Sequence, residues 1–144
     1  MNHSYHMLVE NSIYFGGAKD VQDMIEQEGV EVVVDLREEA EGCAYPKPGV
    51  VWIQVPLGDE AEEPQAELFK QAIAHVVGAH KEGKKVAFHC GGGKGRTGAV
   101  AVGTLMELEM ANSLEEAEQK AKAIRPIISV KPAQWEALQS IYKK

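Results

Sequence analysis

The chain has 144 residues, of which 44% are hydrophobic and 26% are charged, a balance typical of one globular domain with a buried core. Its formal net charge of -7 argues against a broad nucleic-acid-binding surface, but it does not exclude a local positive pocket for an anion. The sequence shows no signal-peptide pattern and no apolar run that could span a bilayer. Together with only two cysteines, these features predict a single domain over residues 1–144 that works in the cytoplasm.

Short β-type runs alternate with amphipathic patterns along the chain, which predicts parallel strands joined by helices. In chain order, the predicted elements are a strand at 13–15, a helix at 20–27, strands at 31–36 and 50–55, a helix at 64–80, a strand at 85–89, and helices at 97–110, 113–124 and from 132 onward. Ser113 and Glu116 form a capping-box pattern, and Pro132 suits a first helical turn. The sequence therefore predicts an α/β domain in which helices flank a small, mostly parallel sheet.

A glycine-rich segment follows the last predicted strand, where ligands of open α/β sheets bind. Its glycines let the backbone curl with successive N–H groups pointing inward, which forms an anion-binding nest in front of a helix N-terminus. The planar fork of an arginine can hold two phosphate oxygens at once. The predicted substrate-binding residues are Gly91, Gly92, Gly93, Lys94, Gly95 and Arg96.

Cys90 lies at the start of this nest, next to the same helix N-terminus and to Arg96. These groups favour the thiolate, which is a competent nucleophile toward phosphorus. A nucleotide-binding Walker loop is disfavoured, because Arg96 stands where that pattern needs glycine. The segment therefore predicts a nucleophile, a phosphate cradle and transition-state stabilisation in one place.

His89-Cys90, five further residues and then Arg96-Thr97-Gly98 resemble the signature of the protein tyrosine phosphatase superfamily. The compact length is similar to that of its dual-specificity branch, as are the early strand patterns at 13–17 and 32–36. The resemblance implies the cysteine-phosphatase fold and a phosphocysteine intermediate on Cys90. It further implies that Arg96 binds phosphate and stabilises the transition state, that Thr97 hydrogen-bonds the leaving sulfur, and that His89 braces the loop.

The leaving oxygen needs a proton, and the family takes it from an aspartate about thirty residues before the cysteine. Asp59 lies 31 residues before Cys90 and directly after a predicted strand. It is the predicted general acid, with Glu60 as the fallback. The alternative is that this acidic stretch is simply a solvated loop.

The resemblance also suggests how the second step is assisted. Gln134 matches the last glutamine of a water-positioning pattern in some relatives, although Val130 replaces an earlier glutamine of that pattern. Gln134 is therefore a predicted catalytic residue, with a helix-surface position as the alternative. Lys131 and Arg125 are candidates for the rim of the pocket.

The substrate is predicted only as a class: phosphotyrosine, with phosphoserine and phosphothreonine admitted by a shallow pocket. Lys94 leaves a phosphoinositide or another small phosphorylated molecule as an alternative. A non-catalytic phosphate-binding module, a sulfurtransferase and an arsenate reductase are rival functions. No cofactor, no metal cluster and no nucleic-acid partner are predicted, and the oligomeric state stays open.

Cys43 has two possible roles. It could form a protective disulfide with Cys90 under oxidation, because it follows a strand whose end should lie near the pocket. A structural or merely buried cysteine is the favoured alternative.

Overall fold

The computed structural model describes residues 4–58 and 65–142. Its five strands form one sheet in the order β1-β2-β5-β3-β4, in which only the β1–β2 pair is antiparallel. The strands are β1 (His6–Val9), β2 (Ile13–Gly17), β3 (Val32–Arg37), β4 (Val51–Leu57) and β5 (Val86–Cys90). Strand β5 lies between β2 and β3, so the predicted site follows a central, fully buried strand.

Five helices cover the two faces of this sheet. They are α1 (Val21–Glu28), α2 (Ala66–Lys81), α3 (Gly95–Glu107), α4 (Leu114–Ile124) and α5 (Pro132–Ile141). A single 3-10 turn, Ala18–Asp20, precedes α1. None of the helices described over 4–58 and 65–142 combines the length and apolarity needed to cross a bilayer.

The alternation of side chains along the strands divides the core into two parts. Val32 and Val34 of β3 pack with residues of α2, α3, α4 and α5 on one face. Val33, which points the other way, packs with Met24 and Ile25 of α1 on the opposite face. A strand buried on both faces explains the unbroken β-branched run in this part of the sequence.

The predicted fold class is confirmed, with two differences at the sheet edges. Strand β1 was not predicted. It is joined to β2 by a turn at Asn11, which has a left-handed φ of 59°. Strand β4 continues through Pro56 to Leu57, two residues beyond its predicted end. Proline is tolerated there because β4 is an edge strand and one of its sides has no ladder to complete.

The predicted start of α4 is also confirmed. The Ser113 hydroxyl accepts a hydrogen bond from the Glu116 amide at 3.1 Å. The Glu116 carboxylate accepts from the Asn112 amide at 2.7 Å, one residue before the position a standard capping box would use. Helix α3 starts at Gly95, two residues earlier than predicted, so Arg96 and Thr97 belong to its first turn.

Candidate active site

The segment 90–96, called the signature loop below, joins β5 to α3 at the carboxyl end of the parallel strands. Cys90 is only 2% exposed and lies on the wall of a cavity of about 450 Å³. The Thr97 hydroxyl donates to the Cys90 sulfur at 3.1 Å. The other lining residues are Glu39, Gly91, Gly92, Lys94, Gly95, Arg96, Ser129 and Lys131. Six of the predicted site residues therefore line one cavity, and Thr97 contacts the sulfur of its cysteine.

The Arg96 guanidinium is buried and hydrogen-bonds the carbonyls of Leu36 and Leu57 and the carboxylate of Glu39. Its Nη1 donates to the carbonyl of Leu57, at the end of β4, at 2.9 Å. Nη1 and Nη2 donate to the two carboxylate oxygens of Glu39 at 2.9 and 3.0 Å. These hydrogen bonds hold the pKa of Glu39 below its ordinary value. The Glu39 carboxylate thus fixes Arg96 at the cavity, and a phosphate ligand must share the guanidinium with it.

His89 contacts the backbone of the signature loop rather than the cysteine sulfur. Its Nδ1 lies 3.0 Å from the Cys90 carbonyl oxygen and donates to it. Its Nε2 lies 3.7 Å from a carboxylate oxygen of Asp35. Burial lowers the pKa of His89, and the attraction of Asp35 opposes that shift only in part. A neutral, buried ring against the loop suits a bracing role better than that of a general base.

Asp35 is held in place from the other side. Arg37 donates to both of its carboxylate oxygens, from Nε at 2.9 Å and from Nη2 at 2.8 Å. The indole of Trp52 donates at 3.0 Å. Although burial works in the opposite direction, these donors lower the pKa of the Asp35 carboxyl, so it stays ionised beneath His89.

Gln134 packs against the signature loop at Gly95 and does not lie on the helix surface. It is 5% exposed, and its Oε1 accepts from the Lys131 amide at 2.8 Å. Its Nε2 has no hydrogen-bond partner among the residues the structure describes. A Cβ added to Gly95 would lie 3.0 Å from the Gln134 amide, so the side chain packs directly on the start of α3. The amide is a buried donor next to the loop.

The predictions for Asp59 and Cys43 have different outcomes. Asp59, with its fallback Glu60, lies outside the described residues. Cys43 is a free thiol in a separate pocket with Pro46 and Trp52, so the geometry gives no support to a bridge with Cys90.

One residue of the site, Glu39, was not predicted, and Arg125 lies in a different place from the one predicted. Glu39 stood in an acidic run, where nothing distinguished it from solvated neighbours. Arg125 was a candidate for the pocket rim, but it is buried, and it donates to the carbonyl of Gly93 from behind the signature loop at 2.9 Å. Lys131, the other rim candidate, does line the cavity. For Arg125 the only local signal was a cation at the end of a helix, ahead of Pro126.

Residues 13–144 match the family model of the dual specificity phosphatase catalytic domain. The chain belongs to this family. It is 28% identical over 133 residues to human dual specificity phosphatase 28, a match that covers 91% of this chain and 74% of the human protein. It is thus a cysteine-based phosphatase of the compact dual-specificity type, and this assignment removes the sulfurtransferase and arsenate reductase alternatives.

Solved structures share its fold. The crystal structure of human DUSP28 matches with a TM-score of 0.83 at 23% identity, covering 97% of this chain and 93% of that one. The crystal structure of PTPMT1 in complex with PI(5)P matches with a TM-score of 0.81 at 21% identity, covering 97% and 95%. Identities this low establish the architecture and leave the substrate open.

Proposed function

We propose that this phosphatase hydrolyses phosphate monoesters through a phosphocysteine intermediate on Cys90, with phosphotyrosine in proteins as the leading substrate. Phosphoserine and phosphothreonine are secondary substrates. The observation that carries the proposal is the 3.1 Å contact between the Thr97 hydroxyl and the Cys90 sulfur, at the wall of a cavity that also contains Arg96. A hydroxyl donor at this distance stabilises a sulfur that carries negative charge.

In the first step, the phosphoryl group enters the signature loop and is held by backbone N–H groups and by Arg96. The Cys90 thiolate attacks phosphorus, so a P–S bond forms while the P–O bond to the leaving group breaks. The leaving oxygen takes a proton from Asp59, which the proposal assigns as general acid on its spacing from Cys90. The first product is an alcohol or a phenol.

In the second step, water attacks the phosphocysteine, the P–S bond breaks and inorganic phosphate leaves. The sulfur departs as a thiolate, which accepts the Thr97 hydrogen bond. The unpartnered amide donor of Gln134 supports a role in positioning that water. Asp59, now deprotonated, takes the proton of the water, so the enzyme returns to its starting state.

No step of this scheme calls for a metal ion or a cofactor, because Arg96 and the loop amides supply the positive field. His89 is proposed to brace the loop through the Cys90 carbonyl. We propose the cytoplasm as the place of action, since the nucleophile must be a reduced thiol and a reducing compartment keeps it so.

A phosphoinositide or another small phosphorylated molecule is the second candidate substrate. The observation that favours it is that Lys94 and Lys131 both line the Cys90 cavity, together with the hydroxyl-bearing Ser129. A ligand with more than one phosphate would suit a rim with two ammonium groups.

The test is turnover of a generic aryl phosphate in the presence of a chelator. We expect activity that vanadate inhibits, that disappears in Cys90→Ser, and that Cys43→Ser leaves within about twofold of the unmodified enzyme. Rapid acid quench should trap phosphate bound to the wild-type protein only. Turnover that survives in Cys90→Ser would overturn the mechanism.

The same assay tests the general acid. We expect Asp59→Ala to lower kcat by about 100-fold while substrate still binds, because proton transfer contributes about 10²- to 10⁴-fold. Glu60→Ala is the matched control and should stay close to wild type. If Glu60→Ala shows the larger loss, the acid is Glu60, and Asp59 loses its role.

A further inference from the structure

The signature loop is backed by a buried arginine that the proposed chemistry does not use. Arg125 follows the last turn of α4 and is 2% exposed. Its Nε donates to the carbonyl of Gly93 at 2.9 Å, and its Nη2 points to the carbonyl of Gly92 at 3.4 Å. Its Nη1 donates to the Ser4 carbonyl and, at 3.0 Å, to Nδ1 of His6. The guanidinium therefore joins the loop to the N-terminal edge of the sheet.

All of the hydrogen-bond acceptors of Arg125 are neutral. They are three backbone carbonyls and one imidazole nitrogen, and no carboxylate in the described part of the chain hydrogen-bonds this guanidinium. Burial lowers the pKa of Arg125, while the negative charges of Asp20 and of the Cys90 thiolate oppose that shift. No bound carboxylate neutralises the charge of this buried guanidinium, so it interacts electrostatically with Cys90.

The carbonyls that Arg125 holds decide where the loop amides point. In a trans peptide, the C=O and the N–H of one unit point in opposite directions. Drawing the Gly92 and Gly93 carbonyls back toward Arg125 therefore turns the N–H groups of Gly93 and Lys94 the other way. The Gly91 carbonyl is drawn back in the same manner by the Ala18 amide at 3.0 Å. The loop thus offers donors on one side because its acceptors are occupied on the other.

Gly93 fits this arrangement in two respects. Its φ is +73°, which favours glycine. A Cβ at this position would lie 2.4 Å from Nη2 of Arg125 and 2.7 Å from the backbone of Gly16. The absence of a side chain is what lets the guanidinium reach the loop backbone.

We propose that Arg125 is a positioning residue of this phosphatase: it holds the Gly92 and Gly93 carbonyls so that the loop amides face the phosphoryl group, and it adds positive charge behind them. The inference rests on the proposed function for its catalytic consequence. The alignment of the anion-binding loop by Arg125 requires only that the loop binds phosphate, with or without turnover. Arg125 touches neither substrate nor nucleophile in this scheme.

The experiment compares Arg125→Met and Arg125→Lys with Lys122→Met, a change at an exposed position of the same helix. Kinetics with an aryl phosphate and inhibition by vanadate are measured where circular dichroism shows each variant to be folded. We expect kcat to fall about 100-fold in Arg125→Met and about 10-fold in Arg125→Lys, with vanadate affinity falling in parallel, since one oriented donor is worth about 10²- to 10³-fold. Lys keeps the charge but lacks the rigid planar fork that holds both carbonyls, so its partial rescue separates the two contributions.

A second arm keeps the inference testable apart from the mechanism. In a Cys90→Ser background, calorimetry measures the binding of inorganic phosphate with Arg125 intact and with Arg125→Lys. The Lys variant retains a cation, so it can be used even where the Met variant does not fold. Affinity that falls about 10-fold supports the alignment role, whatever the turnover assay gives. Unchanged phosphate affinity together with unchanged kcat in folded Arg125→Lys and Arg125→Met would overturn it and leave Arg125 a purely structural tether. Failure of the proposed function would show differently, as wild-type protein without Cys90-dependent turnover.

Discussion

At the residue scale, the carboxylate of Glu39 has two opposing effects on the cavity. It holds the Nη1–Nη2 end of Arg96, which fixes the plane of the guanidinium together with the Leu57 carbonyl. It also places a negative charge on the wall of a cavity meant for an anion. Its side chain is 55% exposed, so solvent screens its repulsion of the substrate. Screening does not weaken its effect on the orientation of the buried Arg96 guanidinium to the same extent. The hold on Arg96 should therefore outweigh the repulsion.

Glu39→Gln tests this balance. The amide keeps one acceptor for Arg96 and removes the charge, so we expect kcat to fall by about 10-fold, the equivalent of one weakened charge-assisted hydrogen bond. KM should fall slightly, because the repulsion of the substrate is removed. Steady-state kinetics with an aryl phosphate give both values, and the exposed neighbour Glu38, changed to Gln, is the control. An unchanged kcat with an altered KM would show that Glu39 acts on the substrate and not through Arg96.

At the element scale, α3 positions the site because it cannot shift within its surroundings. Every residue from Gly95 to Leu105 is buried. Two glycines allow neighbours to approach closely: a Cβ at Gly98 would lie 2.5 Å from Ile128, and one at Gly103 would lie 2.2 Å from Cδ1 of Ile73 in α2. The first turn of this helix contains Arg96 and Thr97, so the packing of the whole helix fixes the two side chains beside Cys90.

The substitution Gly103→Ala has two opposing effects on stability, one through helix propensity and one through packing. Alanine favours the helix by about 1 kcal/mol, but its methyl group meets the buried Ile73, and overpacking costs about 1–3 kcal/mol. We expect the free energy of unfolding in urea to fall by about 1 kcal/mol, and Ile73→Val, which removes Cδ1, to restore most of it in the double variant.

Gly78→Ala in α2 is the counterpart, since a Cβ there meets nothing within 4 Å. It should raise the stability by about 0.5–1 kcal/mol; a loss there would show that propensity does not govern these positions.

At the scale of the whole molecule, the sequence revealed the features that are local and missed those that need distant partners. The β-branched run of β3, the cap at Ser113 and the spacing from Cys90 to Arg96 are each written in a few adjacent residues. Arg125 acquires its role from the carbonyls of Gly93 and Gly92, which are 32 and 33 positions away, and no local pattern predicts those contacts. The four-residue strand β1 exists because β2 pairs with it, and its own pattern is too short to predict it.

Ionisation beneath the signature loop couples it to the stability of the whole protein. His89 is fully buried, and its pKa is lowered in the folded state, whereas in the unfolded chain it protonates near pH 6.5, roughly the ordinary value. Below that pH the unfolded state takes up a proton that the folded state refuses, so acidification favours unfolding. Asp35 does not contribute in this window. Its lowered pKa gives stability that is lost only as the pH falls below about 4.

The prediction is therefore a stability difference between wild type and His89→Asn that depends on pH. Asparagine keeps a donor for the Cys90 carbonyl but does not titrate. From pH 7.5 to 5, the free energy of unfolding of wild type should fall relative to the variant, with a slope of up to about 1.4 kcal/mol per pH unit below pH 6.5. Urea unfolding at each pH measures it, and taking the difference cancels the titration that the two proteins share. A flat difference for His89→Asn would mean that the imidazole takes up its proton equally in the folded and unfolded states, and a difference of the opposite sign would mean that it is protonated in the folded state and paired with Asp35.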